Sequence, residues 1–208
     1  MLYSFPGGSG GAYPNAGLYR DTGGNLYGTT LQGGQGCEGS GCGTVFEVTA
    51  DGSGKVLYAF MGGNDGANPI GSVVMDASGA LYGGTQYGGL DCYHFGFGCG
   101  TLFKVTASGN ETVLHTFTGD DGATPDGGLI RDASGNLYGA AGGGADKSGV
   151  VFEFTDAGEM KTLYSFTGAG DGNEPSSHLI MDEGGNLYGA TLYGGAFGYG
   201  TVFKIANH

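Results

Sequence analysis

Four landmarks recur in the same order along the chain, and this repetition constrains the fold more than any other feature. The first is Leu-x-x-Phe, at residues 2–5, 57–60, 114–117 and 163–166. The second is an apolar pair leading to an aspartate: Asp21, Asp76, Asp132 and Asp182. The third is Leu-Tyr-Gly, at residues 26–28, 81–83, 137–139 and 187–189. The fourth is an apolar-Phe-charged strand, at residues 45–47, 102–104, 151–153 and 202–204. A period of about 50 residues with four short strands per unit reads as a propeller. Apolar residues do not recur at helical spacing over any long window, and glycine interrupts every stretch, which argues against helix.

Each unit reads as four strands. Residues 129–132 represent the innermost strand, 136–140 the second, 151–155 the third and 163–166 the outermost. Asp21 and Asp132 open hairpin turns, since Asp bonds local amides while Gly and Asn accept positive φ. An acidic ring around a channel is the rival reading of these aspartates. The chain starts on an outermost strand, residues 2–5, and ends on a third strand, residues 201–205. The expected fold is therefore all-β: residues 1–208 form a single β-propeller of four four-stranded blades, closed by pairing the N-terminal strand with the last blade. Such closure leaves few exposed edges. A half-ring that dimerises into eight blades is the alternative.

The third strands alternate. Phe46, Phe103, Phe152 and Phe203 share one face, while Glu47, Lys104, Glu153 and Lys204 lie on the other. These charges either pair between blades or face solvent. The innermost strands carry Arg20, Met75, Arg131 and Met181 at one position, a hint of two-unit duplication. The arginines either hold an anion or neutralise Asp21 and Asp132, and the second is expected.

Gly-Asn-Leu-Tyr-Gly, a Gly-Gly loop, Gly-Thr-Val-Phe and an outer Leu-Tyr-x-Phe strand run through residues 24–60 and recur in all four units. This pattern resembles the GloVer tandem repeats. The resemblance covers essentially the whole chain. It implies a bacterial surface or secreted repeat protein with no assigned activity, so it carries over no catalytic residue. The third unit departs, with Gly149-Val150-Val151-Phe152 and a shortened loop. More loosely, the strand pattern is similar to propeller lyases that cleave streptogramin antibiotics, without their histidine arrangement.

Fifty glycines with only five prolines and no G-X-Y period exclude collagen. A 39% hydrophobic share, with 13 Tyr and 12 Phe, is enough to build a core, so the glycines mark turns. The net charge of −13 makes nucleic acid and anionic membranes poor partners. No apolar run is long enough to span a membrane, and any leader lies outside this sequence. The cysteines fall in one loop of two adjacent units, as Cys37 with Cys42 and Cys92 with Cys99. They read as two local disulfides in an oxidising compartment, extracellular or at the cell surface. A zinc site of all four thiolates fits poorly, because the spacings are unusual and the loops belong to different units.

Two sets of long loops emerge on one face, where binding usually lives. The loops between second and third strands carry Tyr93, His94, Phe95, Phe97, Tyr193, Phe197 and Tyr199, candidates to stack on a glycan or anchor a protein. The rival reading has them fold inward over the blade tops. The loops before the innermost strands carry Asp65, Asp120, Asp121 and Asp171 beside glycines. Turn formation explains them, and calcium is the candidate cofactor. His94, His115, His178 and His208 occupy non-equivalent positions, and no catalytic motif precedes a helix. The expected function is a non-catalytic extracellular module for ligand binding, adhesion or surface assembly, monomeric or self-assembling. The alternatives are a structural subunit of an extracellular layer or fibre, and a propeller lyase or hydrolase.

Overall fold

The computed structural model describes residues 1–92 and 96–206. It is all-β apart from two single 3-10 turns. The first sheet contains β1 (Tyr19–Arg20), β2 (Leu26–Thr30), β3 (Thr44–Val48) and β4 (Gly54–Ala59). The second contains β5 (Ala67–Pro69), β6 (Val74–Met75), β7 (Leu81–Tyr87), β8 (Thr101–Val105) and β9 (Glu111–Thr116), with β5 and β6 both pairing β7. The third contains β10 (Leu129–Arg131), β11 (Leu137–Ala141), β12 (Val150–Phe154) and β13 (Met160–Ser165). The fourth has only β14 (Ile180–Met181), β15 (Leu187–Thr191) and β16 (Thr201–Ile205). The strand pairings are antiparallel and, apart from β5 with β7, join strands that follow one another in the chain, as in a propeller-like meander.

One hairpin device is repeated four times. Asp21, Asp76, Asp132 and Asp182 each accept from the backbone amide four residues on, at 2.8, 3.0, 2.9 and 2.9 Å. Each also accepts from the tyrosine hydroxyl of the Leu-Tyr-Gly that follows. The leucine of that tripeptide is buried in the core at Leu81, Leu137 and Leu187 and half-buried at Leu26. The glycine is required because a phenylalanine ring fills the space of a side chain: a Cβ at Gly139 would lie 2.5 Å from Phe152 Cζ. The alternating charges have a single explanation. In strand register they face these tyrosines, at Tyr27↔Glu47, Tyr82↔Lys104, Tyr138↔Glu153 and Tyr188↔Lys204. Glu47 and Glu153 accept from the hydroxyl, while Lys104 and Lys204 sit over the ring.

The core lies between sheets, in three clusters. Val45 of the first sheet packs with Val73, Leu81 and Phe103 of the second. Leu102 of the second packs with Leu129, Leu137 and Phe152 of the third. Val151 of the third packs with Leu179, Leu187 and Ile205 of the fourth. The outer-strand phenylalanines wedge the joints: Phe60 meets Phe103, Phe117 meets Phe152 and Phe166 meets Phe203, each edge to face.

Two expectations need correction. Residues 2–5 form no strand and do not pair with β16 among the described residues. They lie against the first sheet, with Phe5 on Phe46, because that ring face is apolar and otherwise bare. The neutralising role expected of Arg20 and Arg131 is also absent. Neither forms an ion pair with the adjacent aspartate among the described residues, because tyrosine and backbone donors already hold those carboxylates. Arg131 lies over the Tyr82 ring instead.

Candidate functional site

The segments that enter the innermost strands converge on one centre. Pro69, Pro125 and Pro175 each fit against the glycine that opens the third strand of the preceding sheet, at Gly43, Gly100 and Gly149. The prolines place the residues behind them in register: Asn15, Ile70, Asp126 and Ser176 at one position, then Gly17, Ser72, Gly128 and His178 two further on. All of these but Gly128 line a cavity of about 510 Å3 to which the four units each contribute. A second cavity of about 510 Å3 opens next to it, lined by Tyr87, Phe97, Thr124, Lys147, Glu174 and Ser176. Asp126 lines both.

Among the described residues two carboxyls are raised by burial and carry an unpartnered buried oxygen, Glu111 and Asp126, and of these Asp126 lines the central cavity. Its Oδ1 is buried with no hydrogen-bond partner among the described residues. Desolvation, reinforced by the negative charge of Glu174, pushes its carboxyl up to about 6. The Nδ1 of His178 lies 3.2 Å from Ser72 Oγ and 3.2 Å from the Gly127 carbonyl. An Nδ1–H donor serves both oxygens and leaves Nε2 as the acceptor. A carboxylate able to exchange a proton near neutrality and an imidazole thus share one cavity.

Sequence reasoning noted His178 as one of four non-equivalent histidines and passed over Asp126 and Ser72. The available signal was departure from the repeat: Asp126 takes the register position where the preceding unit has Ile70.

The expected binding residues scatter. Phe197 and Tyr199 are 89% and 92% exposed, and Tyr193 is also exposed. Phe97 leans on Tyr87 and lines the second cavity. Tyr93, His94 and Phe95 lie outside the described residues, as does His208. Asp65, Asp121 and Asp171 sit in three different units, where each accepts from a backbone amide of its own loop. Each also accepts from the outer strand, from Tyr58, His115 and Tyr164. His115 therefore stands in for a tyrosine. Asp120 is exposed. Among the described residues no three His, Cys, Asp or Glu side chains gather as a metal-holding set. Cys37 pairs with Cys42 and Cys92 with Cys99, as expected. Among the described residues no helix is long and apolar enough to cross a membrane.

A family model described as the Gloeobacter/Verrucomicrobia repeat matches residues 1–141 and again 96–208. No curated protein matches the sequence. Among solved structures, a gluconolactonase of Xanthomonas campestris is 16% identical, with a TM-score of 0.56 over 90% of this chain and 57% of its own. A candidate 6-phosphogluconolactonase of Bacteroides uniformis is 14% identical, with a TM-score of 0.54 over 94% of this chain and 53% of its own. A candidate gluconolactonase is 15% identical, with a TM-score of 0.51 over 92% and 63%. The chain thus spans less than two thirds of these proteins, and what it shares with them is the fold. The expectation of a non-catalytic module for ligand binding, adhesion or surface assembly is corrected by this finding. These three structures are enzymes by name, and Asp126 and His178 share a cavity at the centre of this chain.

Proposed function

We propose, for a chain that belongs to the Gloeobacter/Verrucomicrobia repeat family, a propeller hydrolase that opens a small polar ester or lactone at the central cavity. The observation that carries this reading is Asp126, a carboxyl raised to about 6 with an unpaired buried oxygen where two cavities meet. A general base works best with its pKa near the working pH. At pH 7 Asp126 is mostly ionised and still basic enough to take a proton from water. The water oxygen adds to the acyl carbon, and Asp126 holds the released proton. As the tetrahedral adduct collapses, the acyl C–O bond breaks and Asp126 returns the proton to the leaving oxygen. His178, oriented through Nδ1 by Gly127 and Ser72, presents Nε2 to a substrate hydroxyl. The names of the fold neighbours favour a sugar-derived lactone as substrate. In this reading the four sheets are blades of one ring, completed by a fourth strand on β16. The two disulfides accord with work outside the reducing cytoplasm.

Acid release from a panel of aldonolactones and simple esters tests the proposal. The wild-type chain should turn over at least one of them, with kcat/KM rising as the pH passes about 6. Asp126→Asn should lower kcat/KM by about 10²–10⁴-fold. Full activity in that variant would move the base elsewhere, and an inert wild-type protein would end the hydrolase reading.

A further inference from the structure

Six non-glycine residues have positive φ among the described residues, and three of them, Thr124, Lys147 and Glu174, line the second cavity. Their φ angles are 47°, 56° and 54°. A residue with a Cβ is strained in this left-handed region, where glycine is not. Glycine holds most left-handed positions of this chain, including Gly122, Gly144 and Gly172 close by. Tyr13, Asn68, Thr124 and Glu174 share one repeat position, each before a proline. The fold fixes the backbone there, since the amides of Asn68, Thr124 and Glu174 donate to the Cys42, Cys99 and Ser148 carbonyls of the preceding unit. A glycine would make that bond equally well, so the choice of side chain needs a separate reason. For Asn68 the reason is local: its Nδ2 donates to the Leu31 carbonyl at 2.8 Å. Cys37, also left-handed, is held by its disulfide. Thr124, Lys147 and Glu174 instead gather on the wall of one cavity. Strain kept at several residues around one cavity is a mark of function.

The cavity suits a ring with apolar faces and polar edges. Its volume of about 510 Å3 is that of a small-molecule site. Tyr87 and Phe97 both line it, with ring centroids 5.7 Å apart and planes inclined by 46°. Phe97 is 67% exposed, so its ring is not part of the core. Aromatic rings of this kind take up the C–H faces of a sugar. Thr124 can donate or accept, Lys147 donates and Glu174 accepts, which matches the hydroxyls around a sugar ring. Glu174 and Asp126 outnumber Lys147 on the wall, and this balance disfavours an anionic ring.

We infer that the second cavity is a subsite for a neutral pyranose ring, joined to the ester or lactone group that reacts in the central cavity. The substrate is then a lactone or ester that carries a pyranosyl group, not a free monosaccharide lactone. The nature of the reacting group rests on the hydrolase reading above, whereas the ring subsite rests on the left-handed side chains and the aromatic pair. Asp126 lines both cavities and marks the boundary that the linkage crosses. A monosaccharide lactone held in the central cavity gains nothing from Phe97, Lys147 or Glu174, which line only the second.

Calorimetric titration of the intact chain with cellobiose, maltose and lactose reads the subsite without turnover. At least one of them should bind with a Kd of about 1 mM or tighter. Glu174→Gly should weaken that binding about tenfold. It should not lower the melting temperature, since glycine accepts the φ of 54°. Phe97→Ala, a change at an exposed side chain, should weaken binding as well. The lactones of the same disaccharides should be opened with kcat/KM about tenfold above that of gluconolactone, because binding a remote ring assists the reaction. Either variant should shrink this ratio. Failure of all three disaccharides to bind, or binding that both variants leave intact, overturns the inference. Gluconolactone opened as fast as every disaccharide lactone overturns it too and leaves the hydrolase reading standing. If a disaccharide binds and no lactone is opened, the hydrolase reading falls and the ring subsite stands.

Discussion

Asp126 shows how one residue can oppose stability in the service of chemistry. Its carboxyl titrates at about 6 in the folded chain and near 3.9 when unfolded. Between those values the folded state holds the extra proton. Stability is therefore greatest below about pH 4 for this group and declines as the pH rises through 6. At pH 7 the buried anion costs about 3 kcal/mol. Asp126→Asn should recover this, raising the urea midpoint at pH 7 while leaving it unchanged at pH 4. Asp76 has the opposite sign. Desolvation works against its charge, but bonds from Ser78, Tyr82 and Ala80 outweigh that and hold the carboxyl at about 2. Its contribution is present above about pH 4 and is lost as the pH falls through 2. Asp76 thus stabilises where the central aspartate destabilises, and residue type alone does not distinguish them.

At the scale of a strand pair, the third unit explains its own departure from the repeat. β2 and β3 are joined by Thr30 and Thr44, whose buried hydroxyls lie 2.8 Å apart, and Thr85–Thr101 and Thr191–Thr201 repeat the contact. In the third unit Ala141 faces Val150, both buried. The hydrogen-bonded pair has been exchanged for an apolar pair as a whole, which leaves no hydroxyl stranded. Copying that exchange into the first unit gives a direct test. Thr30→Ala should cost about 1–2 kcal/mol, since it leaves the buried Thr44 hydroxyl without its partner, and Thr44→Val should cost less, since Thr30 still donates to the Gln32 carbonyl. The double variant should cost about 1 kcal/mol less than their sum in a double-mutant cycle. Strict additivity would mean that the hydroxyl contact contributes nothing.

Across the whole molecule, the asymmetry of the four sheets decides behaviour. Three outer strands are paired and one is not, so β16 is the weak edge. Its amides should exchange with deuterium faster than those of β3, β8 and β12. Equal protection would mean that β16 has a fourth strand.

By itself the sequence determined whatever is local. It specified four units, the meander within each, the aspartate-capped hairpins and the two disulfides, because these contacts join residues close in the chain and repeat with it. It did not show that Asp126, Ser72 and His178, from three different units, share a centre, nor that residues 2–5 lie on the first sheet and leave the fourth unfinished. Those relations depend on the angle between successive sheets, set by how Phe60, Phe117 and Phe166 wedge each joint and accumulated over four units. Only the packed structure fixes that angle, since no short stretch of residues encodes it.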